Sequence, residues 1–280
     1  MNQHENLVVE NVQISSDIDS NMGITQYSGT AFVLACLSEN RLALENYDNT
    51  GYRIHPGTVV ACRLLEELIH LLHSKNICEI GCGVGVLGVY VLKRAQNIRS
   101  FLFTDGNPET LRICQQNVGR NYKGQLSDSI FFEQFVWGSQ NNAVSALFQR
   151  LPVKHFDVVI GSELMYYNTD VYSLVGAVKS LLLDDEIGDS PTPGLFIHAH
   201  VFRKDGQENE LIQSLALVMN WTSAEIPIET FISEQDLGHH PHWYNVRCLI
   251  SAAPSVITGL LTSNPRWVVF KPIQNEESCG

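Results

Sequence analysis

The feature that most narrows the choices for this chain is the stretch from Asn76 to Asn107. Asn76–Ile80 is a short apolar run that ends at a glycine-rich turn holding Gly81, Gly83, Gly85 and Gly88. Val86–Arg94 continues as a mostly apolar helix, and Ser100–Thr104 is a second apolar strand that ends at Asp105. Together they predict a β-α-β unit with a glycine turn at its first junction and a carboxylate at the tip of its second strand. Glycine lets the backbone approach a ligand closely. A carboxylate at that tip accepts hydrogen bonds from both hydroxyls of a ribose. The unit is therefore expected to hold a nucleoside-containing cofactor.

Two cofactor chemistries fit these residues. Gly83-Val84-Gly85-Val86-Leu87-Gly88 satisfies G-x-G-x-x-G, a dinucleotide pattern in which a pyrophosphate sits at the positive end of the helix. The segment Glu79-Ile80-Gly81-Cys82-Gly83, an E-x-G-x-G, resembles instead the first motif of class I S-adenosylmethionine (SAM) methyltransferases. That resemblance implies SAM as the cofactor. It also implies that Glu79 helps to hold the cofactor's methionine end, whose ammonium favours a nearby carboxylate.

Along the rest of the chain strands alternate with helices. A helix is expected from about Thr58, with Ala61, Leu64, Leu65, Leu68 and Leu72 as its buried stripe. Asn107 and Pro108 have the residue types of an N-cap and first position for the next helix. Further strands are expected at Ile130–Val136, Phe156–Gly161 and Leu195–Ala199, with helices at Ala143–Gln149, Val171–Leu183 and Gln207–Met219. Val246–Ile250 and Trp267–Phe270 close the pattern as two strands with no clear helix between them. The fold class is α/β: a doubly wound, mostly parallel, Rossmann-like sheet. Seven strands with a terminal antiparallel hairpin is the class I methyltransferase arrangement, and the resemblance covers about residues 50–270. Residues 1–49 are expected to be an N-terminal arm, with Thr30–Leu37 as a strand or short helix, and 50–280 the main domain.

Ligands in such a sheet lie at the carboxyl ends of the strands. Four ends carry residues of note: Glu79 with Gly81, Cys82, Gly83 and Gly85; Asp105 with Gly106 and Asn107; Trp137; and Ser162 with Glu163 and Tyr166. Within class I, this chain resembles the group called methyltransferase family 16 in three places. These are Trp137-Gly138 after the third strand, Glu163-Leu164-Met165-Tyr166 after the fourth, and Thr50-Gly51-Tyr52-Arg53-Ile54-His55-Pro56 ahead of the first motif. His55 stands where that group usually has Trp, and Glu163 where Asp is commoner. The resemblance implies that the indole of Trp137 packs on adenine. It further implies a catalytic pair, Glu163 gripping an incoming ammonium and Tyr166 supplying an aromatic wall and a hydroxyl. Characterised members are mostly protein-lysine methyltransferases of non-histone proteins, so the implied partner is a protein lysine.

Composition sets outer bounds. No apolar run approaches the ~20 residues that cross a bilayer, and the amino terminus lacks the pattern of a signal peptide. The seven cysteines form no C-x-x-C pair, as in reduced thiols of a cytoplasmic protein, and no metal site is expected. A net charge of −12 argues against a nucleic-acid partner. An adenine-directed enzyme would carry an [Asp/Asn]-Pro-Pro-aromatic motif where Glu163 stands. His198 and His200, at the end of the fifth strand, are candidates to face the site, and His239–Tyr244 reads as an aromatic loop. A monomeric protein-lysine methyltransferase is expected. The alternatives are a small-molecule methyltransferase of the same fold and a catalytically silent binding scaffold.

Overall fold

The computed structural model describes residues 9–12, 20–27, 30–37, 50–52, 54–122, 128–138, 143–165, 169–182, 194–202 and 207–270. The first strands, β1 (Val9–Val12), β2 (Ser20–Tyr27) and β3 (Thr30–Leu37), form a small antiparallel sheet in that order. Strands thus occupy part of the region expected as an arm, and Thr30–Leu37 is a strand.

The main sheet is built from short apolar runs. Its parallel part comprises β4 (Asn76–Ile80), β5 (Ser100–Asp105), β6 (Ile130–Gln134), β7 (Val158–Ser162) and β8 (Leu195–Val201), in the order β8-β7-β4-β5-β6. Strands β4, β5, β7 and β8 are almost continuously buried, as expected for strands covered on both faces. One face is covered by α1 (Pro56–Glu67), α2 (Val86–Arg94) and α3 (Pro108–Tyr122). The other is covered by α4 (Ala143–Arg150), α5 (Val171–Leu182) and α6 (Gln207–Met219). The predicted stripe of α1 continues into the turn after it: Ala61, Leu64, Leu65, Leu68 and Leu72 are all buried.

The carboxyl-terminal part differs from the expected hairpin. The sheet has eight strands, because β9 (Thr222–Glu225) inserts between β10 (Val246–Ala252) and β11 (Val268–Val269). Strand β10 pairs antiparallel with β8 and with β9, and β11 pairs antiparallel with β9. The Thr-Ser-Ala-Glu run of β9 has neither the apolar character nor the length that announces a strand. Two further helices, α7 (Glu234–His239) and α8 (Pro254–Ser263), lie in these connections. Among the described residues no helix is long and apolar enough to cross a membrane.

Candidate active site

After β6 the chain returns to the other side of β4, so strand order reverses between β4 and β7. A cavity of about 520 Å³ opens at this switch point, lined from the ends of β4, β5, β6 and β7. Both place and size suit a small-molecule site.

The turn after β4 forms one wall. Cys82 N–H donates to the Thr104 carbonyl at 2.8 Å, and Gly83 N–H to Asp105 Oδ2 at 2.9 Å, so the turn is pinned to β5. Gly81 and Gly83 adopt left-handed φ values of +63° and +53°. A Cβ on Gly83 would stand 2.9 Å from the Gly51 carbonyl oxygen, and one on Gly81 2.9 Å from Leu164 Cδ2. Only glycine keeps this cradle open. Cys82 lines the cavity, and burial pushes its thiol well up, which makes it a poor nucleophile.

Asp105 and its neighbours form the next wall. Asp105 Oδ1 accepts the Asn107 N–H at 2.9 Å. Asn107 caps α3 as predicted, its Oδ1 accepting from Glu109 N–H at 2.9 Å and Thr110 N–H at 3.3 Å. Gly106 and Asn107 line the cavity as well. Across from them, half-buried Trp137 presents an indole whose Cζ2 lies 3.4 Å from the position of a Cβ on Gly81.

The end of β7 supplies Ser162, Glu163 and Leu164. Glu163 is 4% exposed with φ +55°, a conformation that costs a residue bearing a Cβ roughly 1–2 kcal/mol. Its Oε1 accepts the Gly57 N–H at 2.9 Å, and its Oε2 the Val201 N–H at 3.4 Å. Ser162 Oγ meets Thr58 Oγ1 at 2.9 Å.

Most of the expected site residues meet here, but not all. Glu79 is 2% exposed and lies behind the turn, outside the cavity lining. Its carboxylate accepts the Gly88 N–H, its Oε2 has no partner among the described residues, and burial pushes its carboxyl well above the usual range. The absent side chain of Gly88 makes room for it: a Cβ there would lie 2.4 Å from Glu79 Oε2. Glu79 thus lies behind the turn, against the first turn of α2. Gly85 faces Cys114 of α3, not the cavity. Tyr166 lies outside the described residues. His198 and His200 do share a face, their rings 5.3 Å apart, yet both are buried away from the cavity, His200 beside Glu208 of α6 at 3.8 Å. Burial first, and His200 second, hold His198 well below the usual imidazole range. The stretch expected as an aromatic loop is largely helical: His239 ends α7, Pro241–Asn245 forms a 3-10 helix, and His240 between them stacks on Trp243 at 4.3 Å. Among the described residues no cluster of His, Cys, Asp and Glu is arranged to hold a metal ion.

Gly51 and His55, from the Thr50–Pro56 motif ahead of α1, line the cavity too, and sequence reasoning passed over four more lining residues. These are Thr58 in the first turn of α1, and Thr169, Asp170 and Ser173 at the start of α5. Asp170 accepts from the Ser173 hydroxyl at 2.6 Å. A Thr-Asp pair before an apolar run is a helix-start signal, and it marks this second group.

The donor set fits a nucleoside with a cationic tail. Three carboxylates, Asp105, Glu163 and Asp170, line the cavity, and the glycine cradle admits a ligand against bare backbone. Comparison with known proteins agrees with that chemistry. The family model described as lysine methyltransferase matches residues 38–204, more than half of the 280 residues. A solved structure described as a SAM-dependent methyltransferase from Streptococcus mutans superposes with a TM-score of 0.54 at 10% identity, over 86% of this chain and 57% of that one. A second, a methyltransferase complexed with S-adenosylhomocysteine (SAH), gives 0.53 at 11% identity over 86% and 58%. These two likenesses show the fold. Among curated proteins, a tRNA (uracil(54)-C(5))-methyltransferase of Pyrococcus abyssi is 29% identical over 83 residues. That match takes in 28% of this chain, and the chain spans only 20% of that relative's length.

Proposed function

This chain belongs to the lysine methyltransferase family, and from that premise we propose that it transfers the methyl group of SAM to the side-chain amine of a lysine in a partner protein. The observation that carries the reading is continuity: Asp105 and Trp137 line the same cavity as Ser162, Glu163 and Leu164. Cofactor and acceptor ends thus share one space.

SAM, when bound, supplies an electrophilic methyl group on a sulfonium. Asp105 would hold the ribose hydroxyls, the backbone of Gly81–Gly83 the methionine end, and Trp137 the adenine. In-line transfer asks the protein mainly to align the amine with the methyl group. The amine must also be neutral, against an unperturbed pKa of ~10.4. Phe135 and Leu164 give the cavity buried apolar walls, and desolvation there disfavours the ammonium. A net charge of −12 suits a lysine-bearing surface better than a phosphate backbone.

Incubation of the full chain with cell lysate and methyl-labelled SAM tests the acceptor class. A labelled protein band that yields methyl-lysine on hydrolysis supports the reading. Label confined to small molecules, or to RNA, overturns it.

A further inference from the structure

We propose that Glu163 is a positioning residue, which fastens the N-terminus of α1, and with it a strap of chain, across the cofactor cavity. This role rests on the cavity binding SAM, as proposed above. Glu163 combines three features that rarely coincide: a left-handed backbone, a buried carboxylate, and backbone donors on both oxygens. Gly57 is the second residue of α1, so its N–H has no acceptor within the helix. The Glu163 carboxylate supplies one, at the end of the helix where negative charge is favoured.

The contact requires glycine on the helix side, because a Cβ on Gly57 would stand 2.2 Å from Glu163 Oε1. Thr58 and Ser162 add a second tie between the same two elements. The strap's other end is tied on the opposite side of the cavity. Asn107 Nδ2 donates to Tyr52 Oη at 3.2 Å, and the Gly51 carbonyl packs on Gly83 in the glycine cradle. Between the two ties, His55 lines the cavity. The described residues of the strap, 50–52 and 54–58, thus reach from the end of β7 to the end of β5. Releasing its Glu163 end frees a wall of the cofactor site, although Glu163 itself lies at the acceptor end.

The full chain and its E163A, E163Q and G57A variants test the role by SAH calorimetry, with kcat and KM for SAM measured in parallel and folding checked by circular dichroism. E163A and G57A should each weaken SAH binding about 10-fold and raise KM for SAM more than they lower kcat. The E163A/G57A double variant should bind no worse than the weaker single variant, since both remove one contact. E163Q, whose amide oxygen still accepts from Gly57, should recover most of the lost affinity. If E163A fails to fold, G57A carries the test alone, because Gly57 is not itself among the cavity-lining residues. Unchanged SAH affinity in a folded E163A or in G57A overturns the role. So does a loss of kcat in E163Q at unchanged SAH affinity, which would make the charge a direct partner of the acceptor. Failure of the unaltered chain to bind SAH overturns the cofactor reading itself, an outcome distinct from the other two.

Discussion

The backbone N–H of Gly83 donates to Oδ2 of Asp105 at 2.9 Å, so the glycine turn and the tip of β5 are one hydrogen-bonded unit. The Asn107 N–H holds the other oxygen. The carboxylate is thus oriented before any ligand arrives, and a carboxylate oxygen accepts more than one hydrogen bond. Asp105→Ala should weaken SAM binding ~10-fold or more, from ~1.5–3 kcal/mol for charge-assisted hydrogen bonds. Calorimetry checks it. Unchanged affinity would move the ribose elsewhere.

Trp137 stands at the rim of the glycine cradle, half-buried and in the cavity lining. Stacking of a base on an aromatic ring is worth ~1–3 kcal/mol. Trp137→Ala should therefore raise the SAH dissociation constant by roughly 5- to 150-fold. Indole fluorescence offers an independent reading: SAH should quench the unaltered chain and leave the emission of the variant unchanged. Equal quenching in both would take adenine away from this indole.

Glu79 links stability to pH. Burial raises its carboxyl well above the ordinary value of 4.5, with the Asp105 charge adding to the shift. The folded state then binds the proton more tightly than the unfolded chain does. Stability should fall as pH climbs from the unfolded value to the folded one, by up to ~1.4 kcal/mol per pH unit. Glu79→Gln removes the titrating group. It should melt higher than the unaltered chain toward neutral pH, with the advantage vanishing below about pH 4. A melting-temperature difference that is constant with pH would assign the effect to packing.

Two helical glycines should respond to alanine with opposite sign. On Gly88 of α2 a Cβ would meet Phe103 Cε1 at 2.2 Å. Phe103 has no room to yield, lying fully buried against Phe101 and stacked on Phe132 at 5.1 Å. Gly88→Ala should cost ~1–3 kcal/mol through overpacking. On Gly119 of α3 a Cβ meets nothing within 4 Å. Gly119→Ala should stabilise by up to ~1 kcal/mol through helix propensity alone. Denaturant melts of the two variants decide both signs.

How much of this was legible beforehand depends on the distance over which each signal acts. Helix Val86–Arg94 and strand Asn76–Ile80 match their expected bounds, because apolar runs bounded by glycine are local signals. Asn107 was readable as a cap for the same reason. Strand Thr222–Glu225 was not, since its pairing with β10 and β11, not its composition, makes it a strand. His198 and His200 alternate as expected, but alternation says only that two residues share a face. Whether that face meets a cavity or α6 is a matter of packing.

By itself, then, the sequence determined the β-α-β unit, its cradle of glycines and the carboxylate at its tip, all within some thirty residues of chain. The tertiary structure alone decided that Glu79 is buried behind the turn and that Glu163 is bonded to the start of α1. Glu163 and Gly57 are 106 positions apart. A pair so distant leaves no periodicity to read, and becomes visible only when the sheet brings β7 and the first turn of α1 to the same edge.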